Sequence, residues 1–136
     1  MKKQLLSNKS WGSNFAVLIL RVTFGATMLL GHGLGKWSNL FSGKEIKFFD
    51  FFGIGATASL GLAVFAEVIC SVLLILGLLT RLALIPLLVT MSVALFMVHS
   101  TDAFGVQEKS ILYLAVYVVL FINGAGKYSM DALLKR

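Results

Sequence analysis

The longest charge-poor stretch of this chain limits most strongly what the chain can fold into. Between Asp50 and Glu108 lie 57 residues with only three charged side chains, Glu67, Arg81 and Asp102. Soluble domains carry about 25% charged residues, whereas this chain carries 13% and is 58% hydrophobic. Too few charges remain to cover a water-facing surface. The sequence therefore excludes a soluble globule and a disordered chain, and indicates an integral membrane protein.

Four apolar segments are long enough to cross a bilayer. A hydrocarbon core of about 30 Å needs about 20 apolar residues of helix, and the four segments cover about residues 13–31, 59–79, 82–98 and 110–126. None of them alternates apolar with polar residues, as a half-buried strand would. The sequence therefore predicts an all-α, integral membrane four-helix bundle that forms a single domain over residues 1–136.

The connection between the first two predicted helices, from His32 to Ala58, is much longer than the others. It carries Lys44 and Lys47 beside four phenylalanines between residues 48 and 52. This mix is typical of a short amphipathic helix that lies at the membrane surface. A loop folded over the mouth of the bundle is the equal alternative.

Lysine and arginine are unequally divided between the two sides of the predicted bundle. The side with both termini holds seven of them, Lys2, Lys3, Lys9, Arg81, Lys127, Lys135 and Arg136. The other side holds four, Lys36, Lys44, Lys47 and Lys109. Since cytoplasmic segments carry the excess, this division predicts that both termini are cytoplasmic. The net charge of +6 flanks apolar runs, so the expected partner is the lipid bilayer with its anionic headgroups, and not nucleic acid.

Arg21 and Glu67 each interrupt a predicted membrane span. A charge at the centre of such a helix costs about 2.5–3.5 kcal/mol on insertion scales. At about 1.5 Å per residue, Arg21 lies about 14 Å and Glu67 about 18 Å from the same end of the bundle. The sequence therefore predicts one buried ion pair between them. Two roles for this pair stay open: a structural link between helices, and a polar site for a ligand head group or a proton relay.

Other polar side chains share helix faces with these two charges. On helix one, His32 lies on the face of Arg21, and on helix two Cys70 and Ser71 lie on the face of Glu67. We predict a ligand site lined by His32, Lys36, Cys70, Ser71, His99, Tyr113 and Tyr117. The tyrosines can equally be packing or interface anchors, and the histidines can be solvated helix ends. No spacing of His, Cys, Asp or Glu suits a metal ion, and the sequence assigns no catalytic residue.

Several short motifs together resemble the DoxX family of small four-helix bacterial membrane proteins. They are Leu20-Arg21-Val22 with Gly25, His32-Gly33-Leu34-Gly35-Lys36, Glu67, the run from Leu73 to Arg81, and the ending from Asn123 to Asp131. The ending is similar to the family's Gly-Pro-Gly-Arg/Lys-x-Ser-x-Asp motif, with Ala125 in place of the usual proline. The resemblance covers about residues 18–131 and keeps the motifs in order and spacing.

This resemblance implies a multi-pass protein of the bacterial cytoplasmic (inner) membrane. Some relatives look like subunits of quinone-linked oxidoreductase systems, including thiosulfate oxidation, and others are associated with oxidative stress and thiol handling. The implied function is an accessory or quinone-interacting subunit without an intrinsic cofactor, whose redox partner protein carries the redox centre. Two other functions stay open: a small transporter or channel-like protein, for which four helices suggest a homo-oligomer, and a membrane scaffold without its own activity.

Overall fold

The structure, a computed structural model, describes residues 7, 8, 10 and 12–135. These residues form four long helices and a short fifth one, and contain no strand: α1 Ser13–Leu40, α2 Ala56–Leu76, α3 Thr80–Val98, α4 Phe104–Asn123 and α5 Met130–Leu134. The predicted all-α membrane bundle is confirmed. Four residues used in the orientation argument, Lys2, Lys3, Lys9 and Arg136, lie outside the described residues.

The four long helices pack as an antiparallel bundle in which α2 is the most buried member. α1 packs on α2 and α4, and α3 packs on the same two helices. Half of the most apolar window of α2 is buried, against 22% or less for each of the other three. The three outer helices therefore present most of their apolar side chains outward, as expected where lipid surrounds them.

The bundle has two ends, which we name by their contents. The terminal end holds the start of α1, the turn between α2 and α3, and α5. The loop end holds the connection of residues 41–55 and the connection of residues 99–103. The observed bounds differ from the predicted spans by up to nine residues, and α1 shows the largest difference.

The first helix was predicted to end at Gly31, but α1 continues through a π-helical turn, Leu29–Gly33, to Leu40. Gly33 keeps helical backbone angles and lies where α1 crosses α2. A Cβ atom at Gly33 would lie 2.6 Å from the carbonyl oxygen of Glu67. The glycine therefore permits close helix contact instead of ending the helix.

The remaining ends differ for local reasons. α2 ends at Leu76 because Gly77 adopts a left-handed conformation with φ of 67°, a common way to stop a helix. α4 begins at Phe104, ahead of the predicted span, which starts at residue 110. Its first turns contain Gln107, Glu108 and Lys109, which are helical but too polar for a predicted span. Pro86 lies within α3, beyond its first turn, since α3 begins at Thr80.

The connection of residues 41–55 contains no helix, so the loop alternative is confirmed and the interfacial helix is wrong. Two side-chain hydrogen bonds fix this loop: Asp50 Oδ1 accepts from the Gly55 amide at 2.9 Å, and the Ser59 hydroxyl accepts from the Phe51 amide at 2.8 Å. Ile46 and Phe48 pack against an apolar cluster on α2. Ile46 and Phe48 therefore cover the loop end of the bundle itself.

Candidate ligand cavity at the loop end

A cavity of about 350 Å³ lies at the loop end, between α2 and α3 and beneath the loop of residues 41–55. Most of its wall is apolar or aromatic, with Leu62 and Ala63 on α2, Val89 and Val93 on α3, and Phe48 from the loop. The ionisable residues in the wall are Lys36, Lys47, Glu67 and His99. An apolar cleft with a few convergent polar groups is the usual form of a small-molecule site.

The principal polar feature of the cavity is an ion pair between two different helices. Lys36 Nζ on α1 donates to Glu67 Oε2 on α2 at 2.7 Å. The side chain of Glu67 is 3% exposed, whereas that of Lys36 is 28% exposed. Because α1 extends past Gly31, Lys36 is carried on the helix to the level of Glu67. The ammonium group then holds the carboxylate and still reaches the cavity.

The predicted ion pair between Arg21 and Glu67 is wrong. Within the described residues Glu67 forms its ion pair with Lys36, and His99 forms a hydrogen bond with Asp102. Arg21 is fully buried at the terminal end, where its Nη1 donates to the carbonyls of Leu74 and Ile75 at 3.3 and 3.4 Å. Its Nη2 donates to the carbonyl of Tyr128. Arg21 therefore belongs to the terminal end, not to the cavity.

Side-chain direction explains why two residues at similar depth do not pair. Every Cα–Cβ bond of a helix tilts toward the N-terminus of that helix. α1 and α2 are antiparallel, so the side chain of Arg21 leans toward the terminal end and that of Glu67 toward the loop end. Each then bonds to groups at its own end: Arg21 to carbonyls of the last turn of α2, and Glu67 to Lys36.

Three π-helical turns interrupt the long helices, two of them toward the loop end and one at the middle of α2. They are Leu29–Gly33 in α1, Phe65–Cys70 in α2, and Ala94–Val98 in α3. The second contains Glu67, and the third contributes Ala94 and Val98 to the cavity wall. π-helical turns are rare and occur frequently at functional sites. The two that contribute to the cavity wall support the loop end of the bundle as the functional one.

The structure brings three residues of the predicted ligand site and pair together in the cavity: Lys36, Glu67 and His99. The others line the bundle interior instead. His32 packs edge-on against Tyr113 with ring centroids 5.7 Å apart, and Tyr113 packs on Tyr117 at 5.8 Å. His32, Tyr113 and Tyr117 therefore form an aromatic row inside the bundle that does not line the cavity.

Two further predicted lining residues, Cys70 and Ser71, are buried on α2 and do not line the cavity. Cys70 belongs to the apolar core. The hydroxyl groups of Ser71 and Tyr117 are buried without a hydrogen-bond partner. Position on the helix face of Glu67 was therefore not enough to predict contact with the cavity.

Sequence reasoning missed several residues of the cavity. Lys47 and the phenylalanines of the loop were considered only for their affinity for the membrane surface. Ser59 and Thr90 line the wall but carry no sequence pattern that separates them from other small residues in apolar helices. The pairing of Asp102 with His99 was also missed. The spacing of three residues could have indicated it, because side chains at this spacing are close in a turn.

A second set of contacts joins the last residues to the turn between α2 and α3. Asp131 accepts from the amides of Leu79 at 2.8 Å and Thr80 at 2.9 Å, so it caps the first turn of α3. Its own amide donates to the Gly77 carbonyl at 2.9 Å. Partial burial raises the pKa of Asp131, but the bonds from Thr80 and Leu79 outweigh this effect and hold the pKa below its usual value.

Asp131→Asn is expected to lower the free energy of unfolding in detergent by about 1–2 kcal/mol at pH 7, as for loss of a helix cap. Because the folded-state pKa is lowered, the carboxylate stabilises the fold above the unfolded pKa of about 3.9 and loses this effect as pH falls through the folded value. The difference in the free energy of unfolding between variant and wild type should therefore decrease below about pH 4. Thermal unfolding between pH 3 and 7 measures this, with Glu45→Gln at an exposed loop position as the control. A difference that stays constant down to pH 3 would contradict the assignment.

The fold and the cavity define a multi-pass helical membrane protein with a polar-ended cavity between its helices. The chain belongs to the DoxX family, whose sequence profile matches residues 16–100. It is 34% identical over 132 residues to an uncharacterized protein of Haemophilus influenzae, an alignment that covers 92% of this chain and 87% of that protein. No solved structure matches the chain.

Proposed function

We propose that this protein binds a quinone, or a lipid of similar build, in the loop-end cavity. In this proposal it serves as an accessory subunit of a redox or oxidative-stress system in the bacterial inner membrane. The observation that carries the proposal is the combination of an apolar, aromatic cavity with one ion pair in its wall. A ring with polar substituents and an apolar tail has the matching distribution of polarity.

The position of the opening supports a ligand that arrives from the bilayer. Leu62 on α2, and Val89 and Val98 on α3, line the cavity and are also exposed on the outer surface of the bundle. All three lie within helices long and apolar enough to span a membrane. An apolar tail can therefore extend between α2 and α3 into lipid while the head group stays inside.

The polar groups of the cavity suit a head group that accepts hydrogen bonds. Lys36 donates one bond to Glu67 and has two further N–H groups available for a carbonyl oxygen of the ligand. Lys47 is a second cationic donor in the wall, and Phe48, Phe49 and Phe51 offer aromatic surfaces to a planar ring. Glu67 fixes the position of the Lys36 ammonium group. The pair thus acts as a positioned donor instead of a mobile charge.

Electron transfer through this protein requires a second protein. Cys70 is the one cysteine of the chain and is buried in the core, so the chain cannot form an internal dithiol–disulfide couple. In our proposal a redox partner protein carries the redox centre, and this chain supplies the quinone site and the membrane anchor. A homo-oligomer is compatible with the same arrangement.

We also propose that both termini are cytoplasmic, which places the cavity near the outer face of the inner membrane. The seven-to-four division of lysine and arginine supports this orientation. A cysteine introduced at Lys44 should react with a membrane-impermeant thiol reagent in intact cells, and one at Lys135 should not. The reverse labelling pattern would overturn the orientation but not the helical bundle.

The test of quinone binding is the amount of quinone that copurifies with the protein in mild detergent, measured by mass spectrometry per mole of protein. Ala63→Leu places three additional carbons in the cavity wall. Thr90→Leu adds two carbons and removes the hydroxyl oxygen on the opposite helix. Each should reduce bound quinone by about tenfold, since overpacking a site costs about 1–3 kcal/mol. Ala58→Leu, on an exposed face of α2, is the matched control.

Quinone retained by wild type and Ala58→Leu, but lost from both cavity variants with unchanged melting temperatures, supports the proposal. Equal amounts in all four proteins would mean that quinone is carried by the detergent micelle. Either that result or the absence of quinone from the wild-type protein would contradict the proposed function.

A further inference from the structure

We infer that His99 and Asp102 form a hydrogen-bond acceptor in the cavity, which makes the site prefer a head group with a hydroxyl donor, such as a hydroquinone. The inference rests on the proposed function, because it concerns which form of the ligand the same cavity binds. It depends on a different set of residues from the Lys36–Glu67 pair.

The geometry places an oriented imidazole at the edge of the cavity. His99 directly follows the π-helical turn that ends α3, and its ring lines the cavity. Its Nδ1 lies 2.6 Å from Oδ2 of Asp102. One ring nitrogen is therefore engaged by a carboxylate, and the ring keeps a second nitrogen for another partner.

The chemistry of the pair fixes what the second nitrogen does. An ionised carboxylate only accepts hydrogen bonds, so a ring nitrogen at this distance must carry the proton and donate. In the neutral ring the proton is then on Nδ1, and Nε2 presents a lone pair. The pairing with Asp102 thus turns His99 from a group of undetermined tautomer into a hydrogen-bond acceptor.

The pair is exposed at the surface of the loop end, but further hydrogen bonds brace the connection that holds Asp102. Gln107, on the second turn of α4, donates from Nε2 to the carbonyls of Ser100 at 3.2 Å and Asp102 at 3.0 Å. The Asp102 amide also donates to the His99 carbonyl at 3.1 Å. These bonds fix the backbone between α3 and α4, and with it the carboxylate that orients the ring.

The acceptor matters because the other acceptor among the ionisable groups of the wall, the Glu67 carboxylate, is almost fully buried and already paired. Lys36 and Lys47 only donate, and Glu67 accepts from Lys36. A quinone head group has acceptors and no O–H donor, so it gains nothing from a lone pair on Nε2. A hydroquinone has two O–H groups, and one of them can donate to His99 while its other oxygen accepts from a lysine.

The test compares three probes of similar size in lipid nanodiscs: decylubiquinone, its hydroquinone, and the dimethyl ether of that hydroquinone. The hydroquinone is kept reduced under anaerobic conditions with a chemical reductant, and dissociation constants are measured by quenching of tryptophan fluorescence. Wild type should bind the hydroquinone about tenfold more tightly than the other two probes, the equivalent of about 1.4 kcal/mol for one added hydrogen bond. The dimethyl ether separates the effect of the O–H donors from that of redox state.

His99→Phe keeps an aromatic ring and removes the acceptor, so it should bind all three probes with equal affinity. Asp102→Asn is the second variant. Its amide can donate to Nδ1 and shift the ring proton to Nε2, so it should reduce the preference without removing the ring. Lys109→Met, on α4 outside the cavity wall, is the control and should retain the full preference.

Equal binding of the three probes by wild type, or a preference that survives in both His99→Phe and Asp102→Asn, would overturn the inference and leave quinone binding intact. Failure of wild type to bind any of the probes would instead remove the proposed function, and the inference with it. The two failures are therefore distinguishable in one set of titrations.

Discussion

Replacing Arg21 with methionine is expected to destabilise the terminal end of the bundle and lower the free energy of unfolding in detergent by about 2–4 kcal/mol. The guanidinium joins the last turn of α2, through the carbonyls of Leu74 and Ile75, to the carbonyl of Tyr128 near the C-terminus. The Leu74 carbonyl keeps a bond from the Gly77 amide. The carbonyls of Ile75 and Tyr128 would lose the hydrogen bond from Arg21, which costs about 1–3 kcal/mol for each carbonyl.

Two readouts separate this effect from a general loss of packing. Amide hydrogen exchange should become faster in residues 77–80 and 127–133 but not around the cavity. Ile19→Met, on the exposed face of α1, is the matched control and should leave both stability and exchange unchanged. Faster exchange at the loop end, or none at the terminal end, would contradict the assigned contacts of Arg21.

Gly77 provides a second test of the same contact. A Cβ atom at this position would overlap the Arg21 guanidinium, and the residue has a φ of 67°. Gly77→Ala should therefore destabilise through both a steric clash and the left-handed backbone, the latter at about 1–2 kcal/mol. In the Arg21→Met background the clash with the guanidinium is relieved, while the close contact with the Ser129 Cβ at 2.5 Å and the backbone effect remain. The double variant should consequently cost less than the sum of the two single ones.

Lys36→Met is expected to have the second large effect, a loss of about 2–4 kcal/mol. Removing one partner of a buried ion pair typically costs about 3–5 kcal/mol, and the partial exposure of Lys36 lowers the expected loss below that range. The stranded Glu67 carboxylate is almost fully buried, so it must remain charged in an apolar surrounding or take up a proton. Unfolding by heat or denaturant in detergent measures the loss.

The opposite substitution should have a smaller effect. Glu67→Gln leaves Lys36, whose side chain is 28% exposed, and water can solvate its ammonium group. Combining Lys36→Met with Glu67→Gln should recover much of the stability lost in Lys36→Met. Lys44→Met, an exposed lysine of the neighbouring loop, is the control. Additive losses in the double variant would show that the two residues do not interact.

The sequence by itself determined that the protein is a helical membrane protein with four long helices. These properties depend on quantities that add along the chain: the cost of placing charges in lipid and the length needed to cross it. The family resemblance extended this to the shared motifs, and the matching family profile bears it out over residues 16–100. The resemblance also included the C-terminal ending, whose Asp131 the structure shows as the cap of α3.

Only the tertiary structure decided which charges meet. Depth along the helices gave Arg21 and Glu67 similar positions, but depth carries no information about the direction in which a side chain leans. The extension of α1 past Gly31 depended on close contact between Gly33 and the backbone of α2, which sequence patterns do not encode. That contact brings Lys36 to Glu67. The loop over the cavity and the packing of α3 then place His99 in the same wall. The sequence could not predict these arrangements, because they depend on contacts between residues distant in sequence.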